Sequence, residues 1–289
     1  MTSSISTTFG GSGSSANKST GPMQTGVVSD KPPLGSSSAV ELNWPFPTAG
    51  HELAPDEIHV WCASLDGLVS DLPSFAASLS ASERKRADRF QLDRDRDRFI
   101  VRHGLLRRLL ARYLNAHPAK LSFTYESRAK PALAGTIDDP RLHFNLSQSD
   151  GLGLFAVSRQ FPLGVDVERV RPIPDALQIA ARFFSPRENA MLNALPAESV
   201  SEAFFQCWTR KEAYLKATGE GIAHSLPQVE VSLAPGRAAE LLSIAGDVGE
   251  AFLWTIHALA PAAGFIGALA VRAKELKLAC WRWSEIEAG

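Results

Sequence analysis

A chain of 289 residues, 45% of them apolar, can bury a sizeable core and suits one or two domains. Thirty Lys and Arg stand against 31 Asp and Glu, and a net charge of −1 excludes any whole-chain argument for nucleic acid or for an anionic membrane surface. Cys62, Cys207 and Cys280 are far apart and form no CxxC pair or Cys/His metal spacing, so they read as reduced, buried thiols of a cytoplasmic protein. No uncharged apolar stretch reaches the roughly 18 residues of a membrane span, and the N-terminus lacks the charged-then-apolar order of a secretory signal.

Residues 1–40 are rich in Ser, Gly and Thr and carry few large apolar groups. Such a segment cannot bury enough surface to offset its ordering entropy, which predicts a disordered tail. Structure is expected from about Glu57, where IHVWCASL alternates as a strand does. LSASERKRADRF carries helix-start signals, with Ser80 or Ser82 as the cap. From Asp93 to Leu114 apolar residues recur at three- and four-residue spacing, which predicts a long helix ended by Asn115 and Pro118. Asp93, Asp95 and Asp97 alternate with Arg94, Arg96 and Arg98, so its basic residues read as a salt-bridged face and not as a nucleic-acid stripe.

LHFNLS and LGLFAVS, joined by the turn signal QSDG, read as a hairpin. PLGVDVERV reads as a strand that RPIP stops. Ser185 before Pro186 starts a helix to about Leu195, and a second helix runs from about Ser199 to Thr218 and stops at Gly219. VEVSL, AFLWTIHAL, GFIGALAVR and KLACWRW read as strands. The long helices echo each other: Arg98–Ala111 is expected to correspond to Phe204–Ala217. The expected division is a tail (1–40), an N-terminal α+β half (41–162) and a C-terminal α+β half (163–289).

Two constellations carry chemistry. In GVDVE, the period-two geometry of a strand turns Asp166 and Glu168 to one face and Val165 and Val167 to the other. Adjacent carboxylates repel unless a cation sits between them, and magnesium takes a few such hard oxygens together with phosphate and water. The bland reading is two solvated acids on a half-exposed strand. In WTRKEAYLKATGEGI, Trp208, Glu212 and Lys216 line one side of a helix, with Lys211 at a neighbouring angle. Glu212 can serve as a third acidic ligand or a base, and Lys216 can face the same phosphates. The bland reading there is a surface Glu–Lys pair.

Taken together, GVDVE, then FFSPRE, then WTRKEAYLKATGEGI resemble the signature of the surfactin-type 4'-phosphopantetheinyl transferases, (I/V)(G/D)(I/V)D(I/V)E followed by (F/W)xxKE(A/S)xxK. Upstream, AKPAL resembles the family's GKP segment and FNLSQSD its FN(I/L)SHS segment. The resemblance spans about Glu57 to Val271. It implies a pseudo-dimer of two α+β halves with coenzyme A in the cleft between them. It also implies Mg2+ on Asp166, Glu168 and Glu212, with Glu212 as the base for the carrier serine and Lys216 stabilising the pyrophosphate. Lys130, Ser147, Gln148 and Lys211 are implied contacts of coenzyme A, and Arg86 and Arg98 align with residues at its 3'-phosphate end. The implied partners are apo acyl, polyketide or peptidyl carrier proteins, docked in part on Ser185–Ala203, and the implied state is a monomer. Gln148 departs from the family's histidine. Glutamine can donate a hydrogen bond but carries no charge, so weaker coenzyme A binding is expected.

Two other classes compete. A carrier-protein-binding module that has lost catalysis is favoured only by Gln148 and opposed by the intact Asp166, Glu168, Glu212 and Lys216 set. A magnesium-dependent nucleotide hydrolase needs a water-positioning motif that the sequence does not display.

Overall fold

A computed structural model describes residues 44–47, 52–125, 131–134, 142–219, 226–233 and 237–284. The expected tail (1–40) and Lys130 lie outside them. In chain order the elements are β1 (Glu57–Ser64), α1 (Leu72–Ser78), α2 (Ala81–Ala87), α3 (Asp93–Leu114), β2 (Phe123–Tyr125), β3 (Pro131–Leu133), β4 (His143–Ser149) and β5 (Leu152–Ser158). There follow β6 (Leu163–Arg169), α4 (Ala176–Phe183), α5 (Pro186–Asn193), α6 (Ala197–Thr218), β7 (Val229–Val231), β8 (Leu241–Ile244), α7 (Val248–Phe252), β9 (Thr255–Leu259), β10 (Phe265–Val271) and β11 (Lys277–Arg282).

Two sheets form the middle of the molecule. One has the order β11-β1-β5-β4 and the other β6-β10-β9; β2-β3 and β7-β8 are small two-stranded ribbons. Alternation along the strands builds three cores. Ile58, Val60, Leu154, Ala156, Val165, Val167, Leu269 and Val271 pack between the two sheets. Trp61, Phe155 and Val157 face α3 on the outer side of the first sheet. Ala268 and Ala270 join the core beneath α6 on the outer side of the second. The result is a helix–sheet–sheet–helix stack: an α+β fold of two halves, as the resemblance implied.

The halves repeat each other in detail. Both α3 and α6 have 22 residues. Ser80 and Ser185 each open a short helix with a reciprocal capping box, closed by Glu83 and Glu188. The fifteenth residue of each long helix, Arg107 or Lys211, is buried and pairs with that glutamate. Each also donates to two backbone carbonyls, of Pro118 and Leu121 in one half and Leu226 and Val229 in the other. The echo between the long helices is therefore present with a shifted register, since Arg107 matches Lys211 and not Ala213.

The long helix at Asp93–Leu114 has the predicted bounds, and Asn115 caps it in the left-handed conformation. The β4–β5 hairpin turns through Asp150 and Gly151, both at positive φ. The expected strand AFLWTIHAL is corrected: its first part lies in α7, and only Thr255–Leu259 is extended. Asp247 accepts the Glu250 amide as an N-cap, and local capping outweighs the β-propensity of the apolar run. The last strand, β11, crosses the division expected at residue 163, because it pairs in parallel with β1 in the first sheet.

Candidate active site

The site grows from β6. Leu163, Val165 and Val167 enter the core between the sheets, so Gly164, Asp166 and Glu168 turn to the other side, toward α6. Gly164 permits the contact. A Cβ there would stand 2.1 Å from the Ala213 carbonyl oxygen and 2.4 Å from the Ala217 nitrogen, so only glycine lets the helix backbone lie on the strand. That approach carries Glu212 and Lys216, one helical turn apart, over the acidic pair.

The seam between the halves runs along β4 and β6, each an edge strand of its own sheet. Side chains of β4 bridge it at alternate positions. Asn145 Oδ1 accepts the Val165 amide at 2.9 Å. Ser147 Oγ donates to Asp166 Oδ1 at 2.8 Å, and Ser149 Oγ donates to Glu168 Oε2 at 2.8 Å. Lys216 Nζ reaches Asp166 Oδ1 at 2.6 Å, Ser147 Oγ at 2.9 Å and the Val165 carbonyl at 3.2 Å.

Asp166, Glu168 and Glu212 are each 5% exposed or less. Burial, then the charge of Asp166, pushes both Glu168 and Glu212 up to about 7. Asp166 Oδ2 and Glu212 Oε1 are buried without a hydrogen-bond partner. Orphaned carboxylate oxygens at the meeting of mutually repelling acids are costly, and a divalent cation relieves both costs. The donor set, hard oxygen throughout, suits magnesium. Among the described residues no three acids, histidines or cysteines are already gathered as a metal cluster, and Lys216 sits on Asp166.

The other expected residues divide. Lys211 is not at the cluster. It is fully buried, with Nζ 2.6 Å from Glu188 Oε2 and on the Leu226 and Val229 carbonyls. One residue along a helix rotates a side chain by about 100°, which turns Lys211 into the C-terminal core while Glu212 faces β6. The expected contact of Lys211 with coenzyme A is thereby corrected to a structural role. Arg98 closes a two-bond fork on Asp66, at 2.6 Å on each oxygen, beside the β4–β5 turn. Arg86 is exposed and lies over the Phe99 ring. Gln148 shares a face of β4 with Phe144 and Leu146, so it points toward the α3 layer, away from Ser147 and Ser149, and its Oε1 is buried without a partner. Asn145, Ser149 and Gly164 escaped the sequence reading. The period-two run N-x-S-x-S carried the signal for the first two.

Comparison with known proteins agrees with this architecture. The family model described as the 4'-phosphopantetheinyl transferase superfamily matches residues 162–268, and the one described as the N-terminal part of 4'-phosphopantetheinyl transferase matches 67–159. These two matches divide the chain at the seam between the sheets, which defines a two-part transferase. The 4'-phosphopantetheinyl transferase HetI of Nostoc is 42% identical over 219 residues, covering 76% of this chain and 89% of its own length. A 4'-phosphopantetheinyl transferase of Bacillus subtilis is 32% identical over 157 residues, 54% of this chain and 67% of the relative. The human L-aminoadipate-semialdehyde dehydrogenase-phosphopantetheinyl transferase is 25% identical over 166 residues, 55% and 54% of the two chains. The chain belongs to the 4'-phosphopantetheinyl transferase family. Among the described residues, no helix is long and apolar enough to cross a membrane.

Proposed function

We propose that the protein transfers the 4'-phosphopantetheine arm of coenzyme A to a serine of an apo carrier protein and releases 3',5'-ADP. The observation that carries this reading is the buried trio of Asp166, Glu168 and Glu212 at the seam, with the half-buried Lys216 upon it and two carboxylate oxygens lacking partners. Asp166, Glu168 and Glu212 would hold Mg2+, which when bound supplies positive charge to a pyrophosphate.

The chain's own groups do the rest. The serine oxygen forms a bond to the β-phosphorus while the bond from that phosphorus to the oxygen of 3',5'-ADP breaks. The serine proton goes to Glu212, directly or through one water. Burial and the charge of Asp166 raise Glu212 to about 7 in the metal-free protein, and Mg2+ on the same carboxylates would lower it, which keeps Glu212 ionised as a base near neutral pH. Lys216 is anchored on Ser147 and the Val165 carbonyl, so its ammonium is already fixed where negative charge grows. The seam supplies positioning, which is most of what phosphoryl transfer asks of a protein.

Mass spectrometry of an apo carrier protein incubated with this protein, coenzyme A and Mg2+ tests the reading. One added phosphopantetheine, absent with Asp166→Ala, supports it. No addition to acyl, polyketide and peptidyl carriers alike would overturn it.

A further inference from the structure

Ser149 closes β4, and nothing in the reaction above requires it. Its hydroxyl oxygen accepts the Arg169 amide at 3.1 Å and lies 2.8 Å from Glu168 Oε2. An oxygen already accepting an N–H directs its own proton elsewhere, here to the carboxylate. Ser149 and Glu168 are both buried, so water does not compete for that bond. The guanidinium of Arg171 approaches the same Glu168 oxygen at 3.6 Å from the exposed side. The carboxylate therefore stands between a hydroxyl of the N-terminal half and a cation at the rim of its own half. Ser147 holds Asp166 in the same way, two residues earlier on both strands.

We propose that Ser149 is a positioning residue for Glu168, so that the affinity of the C-terminal half for a divalent cation is set across the seam by the N-terminal half. The proposal rests on the metal reading above. With the hydroxyl gone, Glu168 is drawn toward Arg171 and its oxygens turn from Asp166 and Glu212.

The test is Mn2+ titrated into the full-length protein without coenzyme A, with free Mn2+ followed by electron paramagnetic resonance. Ser149→Ala should weaken Mn2+ binding about tenfold, the size of effect seen when a group orienting a metal ligand is lost. Ser149→Thr keeps the hydroxyl on a residue suited to a strand and should bind within about twofold of the parent. In a Glu168→Gln background, Ser149→Ala should add no further loss, because its action runs through that carboxylate. Unchanged Mn2+ affinity in Ser149→Ala, or an undiminished loss in the Glu168→Gln background, overturns the proposal. If Ser149→Ala does not fold, Ser149→Cys, a near-isosteric weak donor, replaces it under the same expectations. A parent protein that binds no Mn2+ overturns the metal reading and this inference together, whereas normal binding by both parent and variant overturns this inference alone.

Discussion

Replacing Glu212 with glutamine should stabilise the metal-free protein while destroying its activity. Glu212 is raised from 4.5 to about 7 by burial and by Asp166. The folded protein therefore holds this proton more tightly than the unfolded chain does. The penalty for folding is absent well below pH 4.5, grows as pH rises from 4.5 to 7, and is complete above 7. At about 1.4 kcal/mol per pH unit the full penalty is about 3 to 4 kcal/mol. Glutamine has no charge to lose, so Glu212→Gln should melt higher than the parent at pH 8 in EDTA, by roughly 5–10 °C. At pH 5 the gap should shrink to less than about 1 kcal/mol. Adding Mg2+ should raise the melting temperature of the parent much more than that of the variant. Thermal unfolding followed by circular dichroism at the two pH values, with and without Mg2+, reads all of this. A variant that melts below the parent at pH 8 in EDTA, or a gap that ignores pH, would refute the reasoning.

Three further outcomes follow from the geometry. Gly164→Ala forces a methyl group into the backbone of α6; it should cost at least about 3 kcal/mol in urea unfolding and abolish transfer in whatever folds. Lys211→Met leaves the buried Glu188 carboxylate without its counter-ion, at a cost of about 3–5 kcal/mol in urea unfolding; the KM for coenzyme A should stay constant if the variant folds, and a raised KM would return Lys211 to the binding site. On the contact with coenzyme A that the family resemblance implies, Gln148→His should tighten coenzyme A severalfold by isothermal titration calorimetry, more at pH 6 than at pH 8, because only the protonated ring carries charge; unchanged affinity at both pH values would agree instead with the α3-facing place of this side chain.

The local elements and the chemical groups of the site were legible in the sequence. The 3.6-residue period set the bounds of Asp93–Leu114, Ser185 and Pro186 announced a helix start, and strand alternation separated Asp166 and Glu168 from Val165 and Val167. Those patterns act within a few residues, so the chain displays them directly. What failed locally failed through competition between neighbours. Asp247 capped a helix where an apolar run suggested a strand, and α1 and α4 were too short to stand out as periodic.

Only the tertiary structure decided which lysine does what. Lys211 and Lys216 look alike beside Glu212 in the motif, yet one is locked on Glu188 in the core and the other stands on Asp166 at the seam. The difference depends on which side of α6 meets β6, and Gly164 on another element fixes that contact. The sequence alone likewise names the acids but not their partners. Ser147 and Ser149 reach Asp166 and Glu168 from 19 residues away, across the seam between two separate sheets. Residue type and period are properties of a segment, whereas the direction of a buried hydrogen bond belongs to the packing of two segments, and no local pattern contains it.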